Sequence, residues 1–98
     1  MVLSLKQLRY ALAIAETGHF GRAAVLCHIS QPALSQQIQS MEAQCGTPLF
    51  DRLGRTIQLT PFGREFMERA RRVLDNADAL EAFTAGQSGT PCTLFALG

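Results

Sequence analysis

The sequence predicts a mainly α chain of three short helices, a small two-stranded hairpin and a long fourth helix. Three observations carry that expectation. Apolar residues recur at helical spacing in four separate stretches. Three of those stretches open on a Ser or Thr placed to cap a helix, at Ser4, Ser30 and Thr60. Only residues 49–59 read differently, as strand formers on either side of a Leu53-Gly54 turn.

Ser4-Leu5-Lys6-Gln7 has the form of a capping box, in which a hydroxyl and an amide three residues apart satisfy each other's free backbone donors. A first helix is expected over 5–17, with Leu5, Leu8, Ala11, Leu12 and Ala15 on its inner face and Gly18 as its left-handed stop. The second helix is short. It puts Phe20, Ala23, Ala24 and Cys27 on one face, and the alanine pair lets another helix come close. A turn at His28-Ile29-Ser30 leads to a third helix, whose first turn tolerates Pro32 because no N–H is needed there.

Within the third helix Leu34, Ile38, Met41 and Cys45 share the inner face. Pro32, Gln36, Gln39 and Ser40 lie opposite, with Gln31 and Ser35 at the edges. That outer face is polar and almost uncharged. Solubilising helix faces are usually rich in Glu and Lys, whereas amide and hydroxyl groups suit the reading of base edges, glutamine pairing naturally with adenine. On this segment alone a merely solvated glutamine face is an equal alternative.

The next segment weighs on that choice. Gly46-Thr47-Pro48 ends the third helix, and Leu49-Phe50-Asp51-Arg52 and Arg55-Thr56-Ile57-Gln58-Leu59 flank the Leu53-Gly54 turn as a wing. Arg52 and Arg55 bracket its tip, where a protruding hairpin can carry guanidinium groups to phosphates or into a narrow minor groove. The expected architecture is thus a winged helix-turn-helix. Thr60-Pro61 then starts a helix running to about residue 85. Its Phe62, Phe66, Ala70, Val73, Ala77 and Leu80 alternate four- and three-residue steps, and Met67, Leu74 and Phe83 widen the stripe. Such a stripe either folds back on its own domain or forms a dimer seam. A helix of roughly 35 Å outreaches a domain this small, which favours the seam.

Composition bounds the rest. The 98 residues, 47% hydrophobic and 17% charged, suit one small domain. The net charge of +1 does not announce nucleic-acid binding, so position has to carry the case: residues 1–60 hold five Lys/Arg against three acids, and 61–85 hold four Arg against five. Cys27, Cys45 and Cys92 are odd in number and widely spaced, with no C-x-x-C pattern. Neither a disulfide framework nor a zinc site is indicated, and a reducing cytoplasm is the simplest setting. His28 has no partner at ligand spacing, so no metal or other cofactor is expected. Cys27 and Cys45 read as core residues, and Arg69, Arg71 and Arg72 as a solvated helix face. There is no secretory h-region and no membrane span. No nucleophile, base and orienting group recur at useful spacing, so an enzyme is not expected.

Four separated motifs then match a family. Gly18-His19-Phe20-Gly21-Arg22-Ala23-Ala24, Ser30-Gln31-Pro32-Ala33-Leu34-Ser35-Gln36-Gln37-Ile38, Pro48-Leu49-Phe50-Asp51-Arg52 and Leu59-Thr60-Pro61-Phe62-Gly63 resemble the LysR-type transcriptional regulators in order and spacing, over about residues 3–85. The resemblance implies a DNA-binding domain over 1–60, a linker and dimerisation helix over 61–85, and at 86–98 a hinge and the start of an absent effector-binding domain. It implies sequence-specific binding of double-stranded DNA by a homodimer, with a tetramer possible in a full-length parent. The linker helices would pair antiparallel and place two reading helices in successive major grooves of a partly palindromic site. A small-molecule inducer would act only through the absent domain.

The family's contacts fall on Gln31, Pro32 and Ser35 of the third helix and on Arg52, with Arg55 beside it; Gln36 and Gln39 complete the reading face. Two departures stand out: Gln36 where the family often has Arg, and Gly21 where it often has a Ser or Thr that bonds phosphate. An alternative function is a truncated interaction module whose long helix pairs with a full-length regulator.

Overall fold

The computed structural model describes residues 3–52, 54 and 56–86. Arg55, the Leu53 half of the expected turn, Cys92 and the remainder of the hinge segment lie outside the described residues. Helix α1 spans Leu5–Thr17, α2 Phe20–Cys27, α3 Gln31–Cys45 and α4 Pro61–Gly86; strands β1, Phe50–Asp51, and β2, Gln58–Leu59, form one antiparallel pair between α3 and α4.

Each helix boundary has a local cause. Ser4 and Gln7 form the reciprocal capping box, and Gly18 closes α1 in the left-handed conformation at φ 74°. Ser30 Oγ accepts from the Ala33 amide at 3.2 Å and Pro32 sits in the first turn of α3. Thr60 Oγ1 accepts from the Gly63 amide at 2.9 Å, and α4 runs one residue past the expected stop, through Gly86. The turn between α2 and α3 is less relaxed. His28 occupies the left-handed region at φ 60°, where glycine is the usual choice, while the Ile29 amide reaches back to the Ala24 carbonyl at 3.1 Å. Relief of about 1 kcal/mol of left-handed strain against about 0.5 kcal/mol of glycine entropy predicts that His28→Gly is stabilising. A thermal melt should show a gain of roughly 2–4 °C.

The core gathers at the crossing of the helices. Leu8, Tyr10, Ala11 and Ile14 of α1 meet Ala23 and Ala24 of α2, Leu34, Ile38 and Met41 of α3, Leu49 and Phe50, and Met67, Ala70 and Leu74 of α4. This corrects the inner face expected for α1: Tyr10 and Ile14 are buried, and Leu5 is exposed. α1 packs against α2, α3 and α4 together, so it buries more of its circumference than a one-sided stripe. Cys45 is only half-buried at the end of α3.

Two further expectations change. The strands pair Phe50 with Leu59 and Asp51 with Gln58, which moves the partner two residues along from the register that a tight Leu53-Gly54 turn requires. Ile57 leaves the ladder because its amide donates to the Gly18 carbonyl at 3.0 Å, tying the wing to the end of α1. The stripe on α4 also divides. Ala70 is 3% exposed and lies with Met67 and Leu74 in the domain's own core, so it has no free surface for a seam. Phe62, Val73, Leu80 and Phe83 are exposed, the last two at 62% each. Phe66 and Ala77 are half-buried. The reason is that α4 lies back along α1 as far as Asp78. Arg9 pairs with Asp78 at 2.9 Å and Arg71 with Glu16 at 3.6 Å across that contact.

Candidate nucleic-acid interface

The third helix presents the face that its periodicity predicts. Gln31, Pro32, Gln36, Gln39 and Ser40 are exposed, Ser35 is half-buried, and Leu34, Ile38 and Met41 point inward. Gln37, between them, is used by the fold: its Oε1 accepts from Gln7 Nε2 of α1 at 3.1 Å. The outer face therefore carries amides and hydroxyls with no acidic side chain, and the positive end of the helix dipole lies at Gln31.

Gln31 stands in a hollow shared with the start of α2. His19, Gly21, Arg22 and Val25 line it, with Ile57 from the wing root. Oε1 of Gln31 lies 3.5 Å from where a Gly21 side chain would begin, so a Ser or Thr at position 21 would meet this amide in van der Waals contact. The departure at Gly21 is thus linked in space to Gln31. α2 is the one described helix that starts after a coil residue without a side-chain cap of its own, since His19 makes no such hydrogen bond and α1, α3 and α4 are capped by Ser4, Ser30 and Thr60.

Arg52 is less free than a wing-tip residue was expected to be. Its guanidinium lies over the Phe20 ring, 4.7 Å from the centroid, and its Nη2 is 3.7 Å from Glu42 Oε1. The side chain keeps 41% of its surface exposed. Phe20 also meets Phe50 edge-on, ring centroids 6.5 Å apart. Sequence reasoning missed Glu42 and Phe20. The one available signal was that Glu42 is the single acid in α3. The structure adds nothing on Arg55, which is outside the described residues.

The other candidate groups are accounted for. Arg69 and Arg72 pair with Glu65 at 2.9 Å and Glu68 at 3.0 Å along the exposed face of α4, and Arg71 is held by Glu16. Burial pushes both described thiols, Cys27 and Cys45, up from the ordinary cysteine range, and the Glu42 charge adds to the effect at Cys45. Thiolate reactivity is correspondingly weak. Among the described residues no three His, Cys, Asp or Glu side chains gather as a metal site, and no helix is long and apolar enough to cross a membrane.

A helix-turn-helix whose second helix shows an uncharged polar face, with a hairpin anchored beside it, defines a winged DNA-binding module. The comparisons agree. The family model described as bacterial regulatory helix-turn-helix protein, lysR family, matches residues 5–64. The chain is 44% identical over 93 residues to the uncharacterized HTH-type transcriptional regulator YnfL of Escherichia coli (strain K12), covering 91% of this chain and 31% of YnfL. Among solved structures it is similar to BenM DBD in complex with benA site 1 DNA, with a TM-score of 0.81 and 36% identity over 88% of this chain and 100% of that one. For the CbnR DBD–DNA complex the TM-score is 0.78 and the identity 38%, over 85% of this chain and 95% of that one.

The chain belongs to the LysR family of bacterial regulatory helix-turn-helix proteins. Its domain is one for sequence-specific DNA binding in the regulation of transcription. It spans about a third of the length of YnfL.

Proposed function

We propose that this domain reads a partly palindromic double-stranded site as a homodimer in the cytoplasm, and that it acts by binding and not by catalysis. The observation that carries the reading is the exposed amide and hydroxyl face of α3. Gln31, Ser35, Gln36 and Gln39 supply donors and acceptors for base edges, and Pro32 packs against the groove wall. Gln36, in place of the family's frequent Arg, favours an adenine contact over a guanine or phosphate one. Arg52, with Arg55 near it in sequence, supplies the wing's backbone or minor-groove contact. Phosphate contacts give most of the affinity and α3 the discrimination.

The dimer is supported by what α4 leaves uncovered. Phe62, Val73, Leu80 and Phe83 are large apolar side chains open to water, and Phe66 and Ala77 continue their line. Ala70, buried at home, is left out of the seam. An apolar stripe along a projecting helix is the kind of surface that an antiparallel second copy covers.

The test is selection of genomic fragments by the purified chain at near-physiological salt, followed by sequencing. An inverted repeat is expected, and Gln31→Ala should cost about 1–3 kcal/mol mainly on that repeat. Recovery of no DNA would overturn the reading; recovery of DNA without a repeat would remove the dimeric part.

A further inference from the structure

The carboxylate of Glu42 points from α3 toward the wing and is only 19% exposed. Its Oε2 accepts from the Leu49 amide at 2.7 Å and the Phe50 amide at 3.3 Å. Its other oxygen faces the Arg52 guanidinium, which is backed by the Phe20 ring. One side chain of the reading helix thus meets the first strand of the wing and the arginine that follows it, while the first residue of α2 supplies the floor.

We propose that Glu42 is a positioning residue of the DNA interface, holding Arg52 in the place from which it meets the DNA backbone. The two amides need only an acceptor, which a neutral glutamine would supply as well. A negative charge is needed only for the guanidinium. An arginine ordered in advance loses less freedom when it meets a phosphate. Glu42 engages the guanidinium through Nη2, so the other donors of the fork stay available on a side chain that remains partly exposed. The inference rests on Arg52 being the wing's DNA contact.

The experiment is a double-substitution cycle on the full chain, read by fluorescence anisotropy over a range of salt. The probes are a duplex carrying the selected repeat and a duplex of mixed sequence. Arg52→Ala is expected to weaken the otherwise unchanged protein about tenfold and to lower its salt slope by about one. In the Glu42→Gln background the same substitution should cost about threefold or less, because the arginine is no longer held. Gln31→Ala should cost the same in both backgrounds, which a general loosening of α3 would not allow.

Phe20→Leu removes the floor under the guanidinium without touching the amides, and should give the same loss of coupling if Glu42→Gln fails to fold. An equal cost of Arg52→Ala in the parent and coupled backgrounds overturns the proposal. A larger cost in the Glu42→Gln background also overturns it, since Glu42 would then compete with DNA for the arginine. No cost in the parent background removes the wing contact itself, and the proposal with it.

Discussion

Ile38→Ala is expected to lower the free energy of unfolding by about 3 kcal/mol, the middle of the range for truncating a buried Leu or Ile. Ile38 has no exposed surface and lies on the inner side of α3 with Leu34 and Met41, in the core that α3 shares with α1. The walls of that space are helices fixed by their own caps, so the void closes only in part. A domain of this size holds roughly 5–10 kcal/mol in all, which makes the loss a large fraction of its stability. A urea titration should show a lowered midpoint with an unchanged slope. Gln39→Ala, on the exposed side of the same helix, serves as the reference and should stay within about 0.5 kcal/mol of the parent. A loss under about 1 kcal/mol for Ile38→Ala would show that α3 does not seat on α1 in this way.

Gly63→Ala should destabilise the domain although a helical glycine normally gains about 1 kcal/mol on becoming alanine. Gly63 is buried in the first turn of α4. A Cβ there would overlap the Leu49 carbonyl oxygen and come within 3.2 Å of Leu59 Cδ2. The obstacle is backbone, and it is fixed: the Leu49 carbonyl accepts from the Thr60 amide at 3.0 Å, and Thr60 Oγ1 donates to the Pro48 carbonyl at 2.8 Å. Forcing the two apart costs about 3 kcal/mol or more, leaving a net loss of about 2 kcal/mol after the helix gain. A thermal melt should fall by roughly 8–16 °C. An unchanged or raised melting temperature would mean that α4 does not lie so close to the wing root.

These two residues differ in how legible they are from sequence. Ile38 is readable from the 3.6-residue spacing of Leu34, Ile38 and Met41, as are the exposed glutamines opposite, because a helix fixes which side chains share a face. The caps at Ser4, Ser30 and Thr60 and the stops at Gly18 and Gly46 are equally local. Gly63 was readable only as part of a family motif, since its reason is a carbonyl many residues earlier in the chain. The same holds for Tyr10 and Ile14, buried because α1 has neighbours on several sides, and for the wing register, set by a bond from Ile57 to Gly18. In the candidate site the composition of the exposed α3 face was legible. The holding of Arg52 by Glu42 and Phe20 was not, because it depends on three elements meeting.

The fastening of α4 to α1 sets a length. Met67, Ala70 and Leu74 lie in the domain's core, and the exposed pairs Arg9–Asp78 and Arg71–Glu16 add little beyond alignment. Head and rod therefore turn as one piece, and residues 79–86 overhang by about 12 Å. In the proposed dimer, two such pieces joined along their rods would form a caliper with a single opening. Inserting one or two base pairs between half-sites would rotate and shift one of them out of its jaws, and the paired domains would have to twist the DNA or let go of one end.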